Sequence, residues 1–152
     1  LYDRLMTIGS GLVIDSVNRI AEGNITPIEQ PQSDDNLRPA PKIFKDDCLI
    51  DWSKNGVDIV NFVRGLSPYP AAWTELIEEG KDLIAVKIFE TAVVSNNGEL
   101  TPGKITIDGM RLFVDCVDAR IEILSLQAAG KKRMSAADYL RGTRFSSHPK
   151  MI

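Results

Sequence analysis

The sequence predicts an α+β, mainly β fold: a small antiparallel OB-like barrel with flanking helices, preceded by a helical segment and a linker. Three observations predict it. Short alternating apolar runs recur between residues 73 and 126, each bounded by turn-forming residues. Asp108-Gly109 separates two of these runs, the strongest local signal for a tight hairpin. One helical pattern precedes the runs and one capped helix follows them, as in a small barrel with covering helices.

The elements follow in order. Leu1, Leu5, Ile8 and Leu12 recur at helical spacing and give residues 1–23 an apolar face. Gly9-Ser10-Gly11 interrupts the pattern, and Ser10 is the expected cap of a second helix carrying Leu12, Val13, Val17 and Ile20. Gly23-Asn24 supplies the stop. A helix pair with nothing local to cover its stripe reads as the end of a preceding domain. Residues 24–41 read as a linker, because Pro27, Pro31, Pro39, Pro41, Asp34 and Asp35 favour extended, solvated backbone, with the boundary near Asn36. The barrel domain is expected over 42–152. Ser53 is placed to cap a helix whose stripe is Ile59, Val60, Val63 and Leu66, ended by Ser67-Pro68-Tyr69-Pro70. Strands are predicted over 73–77, from Ile84 through Val86 and Ile88, over 104–107 and 110–116, and over 121–126. Ser135-Ala136-Ala137-Asp138 has capping-box form and opens a last helix that stops at Gly142.

Composition excludes several classes of protein. With 152 residues, 43% hydrophobic and 26% charged, the chain has enough apolar content to fold. No apolar run reaches the roughly 20 residues of a membrane span, and no charged-then-apolar leader opens the chain. Two cysteines, Cys48 and Cys116, and a single histidine, His148, leave no set for a zinc cluster, so no metal site is expected. The thiols read as buried and neutral, and His148 lies in a polar tail. Paired acids such as Glu78-Glu79 fall in turn sequence, where they are solvated charge, so no catalytic residue is assigned.

The net charge of −3 hides an asymmetry: residues 1–99 carry −7 and residues 100–152 carry +4. Lys131, Lys132 and Arg133 fall on an expected exposed loop between a strand and a capped helix. Cations there can pair with phosphates, each contact releasing a counterion. Arg141 and Arg144 extend that candidate surface, and Lys42 and Lys45 near the linker form a second, opposed by Asp46 and Asp47. Taken alone, such charge runs are ordinarily solvated surface. Trp52, Trp73, Phe89 and Phe113 are expected in the barrel core.

Five strings occur in order: Leu1-Tyr2-Asp3-Arg4-Leu5, Ala40-Pro41-Lys42-Ile43, Ile50-Asp51-Trp52, Arg64-Gly65-Leu66-Ser67-Pro68-Tyr69-Pro70, and Leu126-Gln127-Ala128-Ala129-Gly130-Lys131-Lys132-Arg133-Met134-Ser135. Together they resemble the C-terminal part of the methionyl-tRNA formyltransferase family, over nearly the whole chain. The last string is the most specific. Two positions depart from the family pattern: Ala71 stands where the family usually has glycine, and Val117-Asp118-Ala119 where it often has Gly-Asp-Gly.

The resemblance implies an upstream Rossmann-like domain that holds 10-formyltetrahydrofolate and the catalytic Asn, His and Asp, none of which falls on this chain. It implies a C-terminal barrel that helps hold initiator methionyl-tRNA, through Lys131, Lys132 and Arg133 foremost. With aromatics at 7% of the chain, the expected mode is shape and phosphate contact with folded RNA rather than base stacking. The implied whole is a cytoplasmic, monomeric translation-initiation enzyme, whereas this part alone is expected to be inactive and to self-associate through its uncovered helix. Two alternatives stay open: the barrel of a related formyltetrahydrofolate-using enzyme (sugar-nucleotide formyltransferase, or formyltetrahydrofolate hydrolase or dehydrogenase), and a non-catalytic interaction module.

Overall fold

The structure, a computed structural model, describes residues 1–29, 39–95, 98–145 and 148–152. The expected boundary near Asn36 lies outside the described residues. Packing divides the chain into two compact units, residues 1–41 and 42–152.

The first unit holds one continuous helix, α1 (Tyr2–Ala21), instead of the two expected. Ser10 does not cap a second helix; its hydroxyl donates to the Thr7 carbonyl at 2.9 Å. Glycine inside a helix costs about 1 kcal/mol relative to alanine but leaves the backbone ladder intact, so the Gly-Ser-Gly run is absorbed. No residue of α1 is buried, and Leu5, Ile8 and Leu12 are exposed.

The second unit begins with a short 3₁₀ turn (Asp46–Cys48) and α2 (Gly56–Leu66). The cap of α2 is Asn55 rather than the expected Ser53: its side chain accepts from the Asp58 amide at 2.9 Å. Ser53 instead donates through both its amide and its hydroxyl to Asp51 Oδ1, in a turn one step earlier. A second anchor comes from Asp118, whose Oδ1 accepts from the Gly56 amide at 2.8 Å.

Seven strands follow: β1 (Ala72–Ile77), β2 (Ile84–Val94), β3 (Ile105–Asp108), β4 (Arg111–Asp115), β5 (Arg120–Ala128), β6 (Met134–Ser135) and β7 (Lys150–Met151), with α3 (Ala136–Arg141) between the last two. All pairings are antiparallel, in the order β3-β4-β5-β2-β1-β7, with β6 added to β5. A bridge between Lys104 and Lys150 brings the two ends of this order together, so the sheet curls into a nearly closed barrel. The mainly β, OB-like architecture is therefore present. Its core comprises Ile50, Trp52, Ile59, Val63, Leu76, Ile88, Leu112, Ile121, Leu126 and Met151. The Trp52 indole N–H donates to Thr74 Oγ1 at 3.0 Å, which satisfies both groups inside that core.

Three local expectations shift. The β3–β4 hairpin pairs Asp108 with Arg111, so its loop is Gly109-Met110 and not Asp108-Gly109. Gly109 has φ +58°, the positive angle required at the first central position of a tight II′ turn. Ala71 has φ +76°, in the left-handed region, at the position where the resembling family carries glycine. Phe89 and Phe113 are buried but outside the main core cluster; each is covered by an arginine, Arg133 at 4.4 Å and Arg111 at 4.8 Å from the ring centroid. Trp73 is only half-buried, on the outer face of β1.

Candidate nucleic-acid interface

Strand alternation sets the two faces of the barrel wall. Ala72, Thr74 and Leu76 of β1, Val86 and Ile88 of β2, and Leu126 and Ala128 of β5 are buried, so their intervening neighbours point outward. Register then places three outward residues in one row: Trp73 pairs with Lys87, and Lys87 pairs with Gln127. With adjacent strands about 4.8 Å apart, the row is about 10 Å long.

Each end of this row carries a lysine. At the β1 end, the Trp73 indole N–H donates to the Lys45 carbonyl at 2.8 Å, and Lys45 Nζ stands 4.7 Å from the Trp73 ring centroid. At the β5 end, Gln127 Nε2 donates to the Lys131 carbonyl at 2.8 Å, which ties the loop to the wall. Lys131 Nζ lies 5.2 Å from the Tyr139 ring centroid, and Lys132 is exposed with no hydrogen bond or ion pair among the described residues. Lys45, Lys87 and Lys131 are thus held along one face.

The other expected site residues fare differently. Arg133 is pinned to the wall: its Nε donates to Ser125 Oγ at 2.9 Å, its guanidinium covers Phe89, and Glu90 lies 3.9 Å away. Arg141 is paired with Asp138, which offsets its charge. Arg144 is exposed, and its carbonyl takes a bond from Lys81 Nζ at 3.2 Å. Lys42 is exposed, with Nζ 5.2 Å from the Phe44 ring centroid. The expected opposition from Asp47 is weakened, because its carboxylate accepts from the Phe44 amide at 2.8 Å. Lys87 was missed in the sequence. Its signal was present, as an outward position in an alternating strand, but only strand register aligns it with Lys45 and Lys131.

Beside the row lies a groove of about 370 Å³, lined by Phe44, Tyr69, Pro70, Trp73 and Lys87 among others. Tyr69 is 87% exposed and Phe44 61%. The sequence expectation of no exposed aromatic platform is therefore corrected, since residues distant along the chain are brought together here. The Cys48 thiol at the groove base is pushed up, by burial first and then by Asp47, and it donates to the Phe44 carbonyl at 3.3 Å. The Cys116 thiol is likewise pushed up, mainly by burial. Neither thiol has the thiolate character of a nucleophile. No group of three or more potential metal ligands occurs among the described residues. None of the described helices is long and apolar enough to cross a membrane.

Residues 42–144 match the family described as formyl transferase, C-terminal domain. The chain belongs to this family. Among curated proteins, this formyl transferase C-terminal domain chain is 45% identical over 155 aligned positions to the methionyl-tRNA formyltransferase of Phocaeicola vulgatus, covering 99% of the chain and 48% of that protein. It is 40% identical to the enzyme of the same name from Bacteroides thetaiotaomicron, again over 99% of the chain and 48% of the relative. The chain thus spans about half the length of the curated relatives it matches. Among solved structures, HypX from Aquifex aeolicus superposes with a TM-score of 0.58 at 16% identity, over 88% of this chain and 24% of that one, a likeness of fold alone.

Proposed function

We propose that this chain is the tRNA-holding C-terminal part of a methionyl-tRNA formyltransferase, a cytoplasmic translation-initiation enzyme that moves a formyl group from 10-formyltetrahydrofolate to the amino group of initiator methionyl-tRNA. The observation that carries the reading is the outward row Trp73–Lys87–Gln127, which fixes Lys45, Lys87 and Lys131 on one barrel face. Lys132 and Lys42 add charge to it, whereas Arg133, Arg141 and Arg144 rank below them because their groups are already engaged or face elsewhere. Cations on a rigid wall fix the position of a phosphate backbone without reading sequence. The chain's contribution is therefore placement of the acceptor, and a bound orientation lowers the barrier to attack of the amine on the formyl carbon.

The formyl donor does not fit the clefts of this chain. Buried side-chain polar atoms lacking a partner, among the described residues, are Thr91 Oγ1 and Thr143 Oγ1, which lie on β2 and after α3. They form no cluster that a pterin ring would satisfy. Donor binding and catalysis are accordingly assigned to the upstream domain of the intact enzyme, and the uncovered face of α1 accounts for any self-association of this part alone.

Steady-state formylation by the intact protein tests this reading. Glutamate at Lys45, Lys87 and Lys131 together is expected to raise KM for initiator methionyl-tRNA about tenfold or more, with kcat nearly unchanged, because these groups hold rather than react. An unaltered KM for tRNA would overturn it.

A further inference from the structure

The groove beside the basic row has a chemistry that the row alone does not use. Its walls carry three aromatic rings from two separate segments, Phe44, Tyr69 and Trp73, and its rim carries two ammonium groups, Lys45 and Lys87. Among the described residues no carboxylate lines it. Singly exposed aromatics are ordinary, but Tyr69 at 87% exposure shares one concavity with Phe44 at 61%. Rings left open in a cleft keep apolar faces in water, a cost relieved when another flat group covers them. Lys45 already lies over Trp73, which leaves Tyr69 and Phe44 as the open surfaces.

We propose that this groove stacks one unpaired base of the bound RNA against Tyr69, while Lys45 and Lys87 hold the phosphates that flank it. The proposal rests on the tRNA reading above and adds to it a base contact. The occupant must offer a flat ring and negative charge within one strand spacing of each other, and a nucleotide does so. A proline-rich peptide would match the rings but bring no anion for the two lysines. Barrels that take unpaired nucleic acid combine the same two features, a stacking ring and a cationic track.

The test compares the intact protein with its Tyr69→Ala, Tyr69→Phe and Lys87→Ala variants, titrated with initiator tRNA over a salt series. A single-stranded hexaribonucleotide and its copy with one abasic position serve as further probes. Tyr69→Ala is expected to weaken tRNA binding about tenfold with an unchanged salt slope, and Tyr69→Phe to retain it. Lys87→Ala is expected to lower the salt slope by about one contact. The abasic hexamer is expected to bind more weakly than its parent. If Tyr69→Ala binds as the unmodified protein does while Lys87→Ala is impaired, the base contact is overturned and the basic row stands. If the unmodified protein binds no tRNA at low salt, both fall. Saturable uptake of a proline-rich peptide with tRNA affinity unchanged in Tyr69→Ala would also overturn it.

Discussion

Closure of the barrel depends on Gly103, and replacing it with alanine measures that dependence. The Gly103 amide donates to the Asp115 carbonyl and its own carbonyl accepts from the Met151 amide, each at 2.8 Å. Its φ is +82°, and a Cβ placed there would stand 2.1 Å from the Met151 carbonyl oxygen. Two costs add. The left-handed conformation costs alanine about 1–2 kcal/mol. Relieving the contact displaces β7, which forfeits a hydrogen bond of about 1 kcal/mol. It also exposes part of Met151, whose full burial is worth roughly 1.5–3 kcal/mol. The expected loss is about 3–5 kcal/mol, a large share of a typical stability of 5–15 kcal/mol. Urea unfolding reads this directly. Gly80→Ala is the control, since Gly80 has φ +74° with open space around it and incurs only the conformational cost. A Gly103→Ala variant no less stable than Gly80→Ala would refute the closing role.

Two further outcomes concern ion pairs. Asp115 is fully buried and accepts from Arg120 Nε at 2.9 Å, so Asp115→Ala leaves the guanidinium without its partner and is expected to cost about 3 kcal/mol in urea unfolding; a loss below about 1 kcal/mol would show that water replaces the carboxylate. Arg111 grips Glu122 through two bonds of 2.8 and 2.7 Å, and this holds the Glu122 carboxyl below the usual glutamate range. Because the folded value is depressed, the stabilisation is complete above the unfolded value of about 4.3 and is lost as pH falls through the folded one. Arg111→Ala should therefore flatten the acid limb of stability against pH, and parallel limbs for the two proteins would sink the assignment.

Much of the barrel was legible because its strands obey alternation and its last helix carries a self-contained cap: Ser135 accepts from the Asp138 amide at 3.1 Å as its spacing suggests. The failures have local causes. Ser53 and Asn55 are both capping residues, and only the packing of Gly56 against Ile121 and Ala119 fixes which one starts α2. The second half of β2 was obscured by register shifts around Glu90, which break the alternation after Ile88. The two residues of β7 are too few to show any pattern. At the candidate site, the loop lysines were visible as a charge run, but their alignment with Lys45 and Lys87 exists only once three strands are in register. Tyr69, Phe44 and Trp73 were likewise read as scattered residues, since nothing local links them.

The central claim is that one barrel face holds tRNA through phosphate contacts from Lys45, Lys87 and Lys131. Its most direct test is the slope of log affinity against log salt for the intact protein and initiator tRNA, compared with a variant carrying alanine at all three positions. Each contact contributes about 0.7–0.9 to the slope, so the variant should lose about 2 or more. An identical slope in the two proteins would contradict the account.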